Sequence, residues 1–342
     1  MKKIIISTIA VSALFFTTSC ETDFDTDVKD IVVTSGEANF TTYVSIGNSL
    51  TSGFRDNALY IDGQNESYPN MIAEQMRLAG GGAFVQPLMA DNNGGLLLGT
   101  MPIQGTKLYI KSFVDGSPVI ENVAGSPTTN VTTKVTGSLN NFGVPGAKSY
   151  HLIAPVYGNA AGILTGTANP YYVRFSSSAT STIADDAANR NPTFFSLWIG
   201  NNDVLSYATS GGLGVNQATN TNPATYGAND ISSPAVVMGS IQSVLEKLKA
   251  KGATKGVVAN IPYVTSIPMF TTVPYNPLTP ATLGANLNTL NTSLYGPLKQ
   301  ALTAFGAGDR INLLSSTSSN PVLIKDVALT DLSAQLTAAL TP

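Results

Sequence analysis

Ser49 is the first residue in this chain whose type and spacing could do chemistry. It lies in Gly47-Asn48-Ser49-Leu50-Thr51-Ser52-Gly53, directly after the alternating run Thr42-Tyr43-Val44-Ser45-Ile46. That places a hydroxyl on a tight turn at the C-terminal end of a strand, where open α/β sheets gather ligands and reactive groups. Acyl transfer by serine needs the hydroxyl, a base to take its proton, and N–H donors aimed at the developing oxyanion. Two later segments offer donors. Gly146, in Asn141-Phe142-Gly143-Val144-Pro145-Gly146, lacks a Cβ, so its backbone N–H can approach a substrate closely. Asn202, in Gly200-Asn201-Asn202-Asp203, supplies a neutral, directional side-chain N–H. The base is harder to place. His151 is the only histidine, five residues beyond Gly146, and reads either as that base or as an ordinary loop or helix-surface residue. Taken singly, Ser49 is also compatible with a plain turn or N-cap serine, and Asn202 with an Asx turn before Asp203.

Positioning these residues requires strands that end together. Residues 42–47 read as a first strand. Ser67-Tyr68-Pro69 opens a helix with a capping serine and an early proline, and Gly80-Gly81-Gly82 ends it. Residues 83–89 read as a second strand. Residues 91–140 are rich in Gly, Thr, Ser and Asn, with short β-like runs at 107–113, 118–123 and 131–135, and read as a hairpin-rich insertion. Residues 158–181 and 206–233 read as polar loops. The nearly continuous apolar run at 193–199 fits a strand buried on both faces. A helix over 234–251 and a strand over 255–261 follow, then a helix over 282–305, broken near Gly296-Pro297, and a strand over 310–314. Strands alternating with helices predict an α/β fold with a parallel sheet.

The N-terminus reads as an export signal. Met1-Lys2-Lys3 precedes an apolar run over residues 4–16 and then Thr17-Thr18-Ser19-Cys20, the order of a secretory leader. The run is shorter than the ~20 residues a membrane-spanning helix needs. Cys20 follows small residues, an arrangement similar to the lipobox of bacterial lipoproteins, with Thr17 where leucine is usual. The expectation is a signal peptide over residues 1–19 and lipidation at Cys20, with anchoring to the outer membrane on its periplasmic or surface face. Cys20 is the only cysteine, which excludes an intramolecular disulfide and a cysteine-built metal site. Residues 20–40 form a tether with Glu21, Asp23, Asp25 and Asp27 near its start. It is read either as a solvated linker or as an acidic signal similar to that of surface lipoproteins. The net charge is −3 and no basic cluster occurs, which argues against nucleic acid as a partner.

Together the three blocks resemble the SGNH, or GDSL, hydrolase family. Gly47-Asn48-Ser49-Leu50 matches its Gly-Asp-Ser-Leu block, Asn141 to Gly146 its second, and Gly200-Asn201-Asn202-Asp203 its Gly-x-Asn-Asp block. The likeness runs from about residue 41 to at least 265, and Ile46-Gly47-Asn48-Ser49-Leu50, Gly63-Gln64 and Ser67-Tyr68-Pro69 look like a lipoprotein branch of it. The resemblance implies a flavodoxin-like three-layer α/β/α sandwich over residues 41–342. It also implies a serine hydrolase without metal or cofactor, acting on acyl esters of lipid or carbohydrate. Ser49 would be the nucleophile, and the Ser49 N–H, the Gly146 N–H and Asn202 the oxyanion donors. Two departures stand out. Asn48 replaces the usual Asp, which should tune rather than abolish activity. The family's closing Asp-x-x-His block has no match, since Asp326-Val327-Ala328-Leu329 lacks the histidine. Three readings follow: a hydrolase whose last block lies beyond residue 342, a surface lipoprotein that binds glycan or lipid in a degenerate cleft, or an enzyme using a different base.

Overall fold

The computed structural model describes residues 32–272, 276–324, 326 and 328–340. Cys20, the leader and the tether as far as residue 31 lie outside the described residues. The chain divides into two compact units, one ending at Ile261 and one beginning at Pro262.

The first unit runs in this order: strand β1 (Tyr43–Gly47), a one-turn helix α1 (Ser49–Ser52), helix α2 (Tyr68–Leu78), and the short strands β2 (Leu96–Leu98), β3 (Met101–Gln104), β4 (Leu108–Val114) and β5 (Ser117–Asn122). Then come strand β6 (Asn141–Gly143), a 3-10 turn over Ser149–Ile153, helix α3 (Ile183–Ala188), strand β7 (Phe194–Trp198), helix α4 (Asn201–Thr209), helix α5 (Pro234–Ala250) and strand β8 (Lys255–Val258). Strands β6, β1, β7 and β8 lie side by side in that order and all run parallel, which makes the unit a mixed α/β structure. The insertion carries two antiparallel hairpins, β2–β3 and β4–β5. Asp115 and Gly116 between β4 and β5 both have positive φ, as a tight two-residue hairpin turn requires.

Alternation along the central strands sorts the core. Val44, Ile46, Phe195 and Leu197 point to one face, where they join Ile183 and Ala187 of α3, Val244 and Leu248 of α5, and Leu152 of the 3-10 turn. Tyr43, Phe194, Ser196 and Trp198 point to the other, where Tyr68, Ile72 and Met76 of α2 lie. Here Tyr68 meets Trp198 edge-on at 5.5 Å, and the buried Tyr43 hydroxyl pairs with Ser196 Oγ at 2.7 Å. Strand β1 is buried along its whole length. That accounts for its readable pattern, since β-branched and aromatic residues fill both sides of a central strand.

Three expected strands do not form. Residues 83–89 are extended, but Asn140 and Gln64 take their backbone bonds: Val85 N–H donates to Asn140 Oδ1 (3.1 Å), Met89 N–H donates to Gln64 Oε1 (2.7 Å) and Gln64 Nε2 donates to Pro87 O (3.0 Å). Residues 131–135 make isolated bonds, from Val131 N–H to Leu97 O (2.9 Å) and from Val135 N–H to Arg174 O (2.7 Å), rather than a ladder. At 310–314 in the second unit, Asn291 brackets Leu314 by accepting its N–H (2.8 Å) and donating to its carbonyl (2.9 Å). In each case a side chain or a single contact replaces a neighbouring strand, which periodicity cannot reveal.

The second unit is helical. Its expected long helix is segmented into Pro280–Leu283, Asn286–Leu290, a π-turn over Asn291–Tyr295, and α6 (Gly296–Ala304). Pro297 has no N–H to continue the ladder, so the wider turn falls where the break was expected. Leu287, Tyr295, Leu302, Ile311 and Leu314 form its core. Leu332, just before α7 (Ser333–Leu340), and Leu336 within it pack against them.

Candidate active site

The three blocks leave neighbouring strands at the same edge of the sheet. Gly47 at the end of β1 is in register with Gly143 at the end of β6 and with Trp198 at the end of β7. Ser49, Gly146 and Asn202 follow these three positions within a few residues. Glycine is required at two of the strand ends. A Cβ at Gly47 would lie 2.1 Å from Thr51 Oγ1 and 2.4 Å from Trp198 O, and one at Gly143 would lie 2.3 Å from Ser52 N. Removing those two side chains lets α1 settle directly against the strand ends, which sets the position of Ser49.

Hydrogen bonds then tie the blocks to one another. Val144 N–H donates to Gly47 O (3.0 Å), linking the second block to the first. Asn48 caps α1 by accepting Leu50 N–H (3.1 Å), while its Nδ2 donates to Asn201 Oδ1 (3.3 Å), linking the first to the third. Asn202 Nδ2 donates to Ala147 O (2.9 Å), linking the third to the second. The buried Asp203 carboxylate accepts both Ser149 N–H and Ser149 Oγ–H, each at 2.8 Å. Burial raises the Asp203 pKa, and the Ser149 bonds oppose that rise. Lys148 is buried beside it; its ammonium donates to Ala228 O (3.1 Å) and Asp230 O (2.9 Å), and burial lowers its pKa.

Within this frame several donors are left over. The Ser49 N–H, the Ser49 Oγ and the Gly146 N–H have no hydrogen-bond partner among the described residues. Gly146 adopts φ +79°, a left-handed conformation that favours glycine. Asn202 Nδ2 uses one of its two N–H bonds on Ala147 and keeps one. A half-buried hydroxyl thus shares one sheet edge with two unsatisfied backbone amides and a side-chain amide. That arrangement suits a group acquiring negative charge on oxygen.

His151 has a different setting. It sits in the 3-10 turn, stacked on Tyr157 at 4.4 Å with an interplanar angle of 9° and edge-on to Tyr150. Its Nδ1 accepts Lys148 N–H at 3.0 Å, so the neutral ring carries its proton on Nε2. Burial, with a smaller contribution from Lys148, lowers its pKa to about 4. Among the described residues, no hydrogen bond joins it to Ser49. The geometry gives His151 no free lone pair with which to serve as a base.

No protein-family model, curated protein or solved structure matches the chain. Among the described residues, no group of His, Cys, Asp and Glu is arranged to hold a metal ion, and no helix is long and apolar enough to cross a membrane. Two contributors escape a linear reading. Asp203 anchors the second block although an acid in the first turn of α4 reads as ordinary helix-dipole compensation. Asn201, the partner of Asn48, carries no signal of its own.

Proposed function

We propose that this protein is a serine ester hydrolase of SGNH type, built on a flavodoxin-like α/β/α sandwich. The observation that carries the reading is the convergence of Ser49, Gly146 and Asn202 at the adjoining ends of β1, β6 and β7, with Ser49 N–H and Gly146 N–H unsatisfied among the described residues. Helices on both faces of the parallel sheet support the sandwich.

In the proposed reaction, Ser49 Oγ attacks the acyl carbonyl carbon as its proton passes to a base. The carbonyl π electrons move to oxygen, and that oxyanion is held by Ser49 N–H, Gly146 N–H and the spare N–H of Asn202. Collapse expels the alcohol, which takes the proton, and water then releases the acid from the acyl-serine. The base is a group other than His151, whose Nδ1 is already an acceptor. Acyl esters of lipid or carbohydrate are the proposed substrates. A lipid anchor at Cys20 is proposed to hold the enzyme at the outer membrane.

The test is protein-dependent hydrolysis of p-nitrophenyl acetate, measured with and without added imidazole as a soluble base. Activity that rises with imidazole and disappears in Ser49→Ala supports the reading. An increment that survives Ser49→Ala would falsify it.

A further inference from the structure

The 3-10 turn over Ser149–Ile153 borders a second feature that ester hydrolysis at Ser49 does not use. A cavity of about 800 Å³ lies between this turn, Tyr157 and the first half of α5. Pockets that hold small molecules span roughly 300–1,000 Å³. Tyr150, His151 and Tyr157 contribute one wall, and Val236, Gly239 and Ser240 of α5 another. Neither Ser49, Gly146 nor Asn202 lines it, and its described lining holds no Asp, Glu, Lys or Arg. An ion entering would lose hydration without meeting a counter-charge.

Two independent observations bear on what the space could hold. Gly239 lies inside a 17-residue helix, where glycine is among the least favoured residues. A Cβ built there would meet nothing within 4 Å. Close packing therefore does not require this glycine, which faces open space on the α5 wall. The second observation is His151. With Nδ1 accepting Lys148 N–H, its Nε2–H is a donor, and that donor has no partner among the described residues. The Tyr150, Thr221 and Ser240 hydroxyls on the lining likewise have no partner among the described residues, so donors for a ligand oxygen stand beside apolar and aromatic surface.

We infer that this cavity binds a neutral, mainly apolar molecule, an alkyl or acyl chain bearing one oxygen acceptor, with His151 Nε2–H donating to that oxygen and the hydrocarbon lying along Gly239. The ring stays uncharged near neutral pH because burial holds its pKa at about 4. The binding does not depend on catalysis at Ser49.

The probe is decanol, titrated calorimetrically into the whole protein, with decanoate as its charged counterpart. Decanol binds saturably at one site, and decanoate binds at least ~10-fold more weakly, since no Lys or Arg lines the cavity to compensate its charge. Gly239→Leu fills the open space with a better helix former, so it weakens decanol at least ~10-fold while its melting temperature stays equal or rises. His151→Asn retains an acceptor for Lys148 N–H but loses the Nε2 donor, and weakens decanol roughly 5-fold, the worth of one neutral hydrogen bond. The inference is overturned if decanol shows no saturable binding, or if Gly239→Leu melts no lower than the wild type yet binds as tightly. Equal affinity for decanoate, or unchanged affinity in His151→Asn, would place the head group away from His151 and likewise overturn it.

Discussion

Ser49 stands half-buried beyond the end of β1 with its hydroxyl unbonded among the described residues, whereas His151, just past the end of β6, has its ring stacked on Tyr157 and its Nδ1 committed to Lys148 N–H. Both could by type take part in proton transfer. The fold leaves one polar group open and spends the other. The difference comes from what surrounds each. At Ser49, two glycines allow backbones to crowd together, and the Ser49 and Gly146 amides have no partner among the described residues. At His151, aromatic packing desolvates the ring, which disfavours its charged form and leaves only a neutral donor. One segment of six residues, from Gly146 to His151, thus carries polar groups in two opposite settings.

The sharpest way to break the contrast is Ser49→Ala, expected to abolish imidazole-supported ester hydrolysis, a loss of at least ~100-fold by the cost of removing a catalytic nucleophile. The same substitution should leave far-UV circular dichroism unchanged. Asp203→Ala cuts the tie between α4 and this segment. It leaves buried Ser149 N–H and Oγ without their acceptor, and should cost about 3 kcal/mol in urea denaturation, the upper part of the range for an orphaned buried donor.

The His151 side predicts a pH dependence of similar size. Its folded pKa of about 4 is depressed from 6.5, so the unfolded protein binds more protons between those values. Its contribution is fully present above 6.5 and is lost as pH falls towards 4, about 3 kcal/mol in all. His151→Asn should remove that component; equal acid sensitivity in wild type and variant would show that the ring is more open than its packing implies.

Smaller effects sharpen the serine side. Gly143→Ala would force a Cβ against the α1 backbone and should cost about 1–3 kcal/mol, the range for overpacking, with a loss of esterase activity as Ser49 shifts. Asn48→Ala removes the α1 cap and the bond to Asn201, and should cost about 1 kcal/mol. Denaturation midpoints at fixed slope measure both.

Much of the element list was legible in the sequence because local rules govern it. Strands β1 and β7 and helices α2 and α5 follow from apolar periodicity and helix-stop signals, and they form within a few residues of the expected bounds. Residues 83–89 were not legible as what they are. Their bonding partners Gln64 and Asn140 are distant in sequence, and an extended segment pinned by side chains has the same local pattern as a strand. The Pro262 boundary was likewise hidden, since nothing in composition changes there.

For the site, the sequence by itself determined the chemistry on offer: a serine on a glycine turn, a glycine able to present its N–H, an asparagine amide and a single imidazole. Residue type decides those capacities before folding. Only the tertiary structure decided which of them remain available. Sheet order brings β6, β1 and β7 together across roughly 100–150 residues of sequence, and the order of strands is a long-range choice made by burial on both faces. Whether a donor is left free or an imidazole lone pair is spent depends on neighbours that only packing supplies. Ser49 and His151 both read as reactive in the sequence, and packing separates the open group from the spent one.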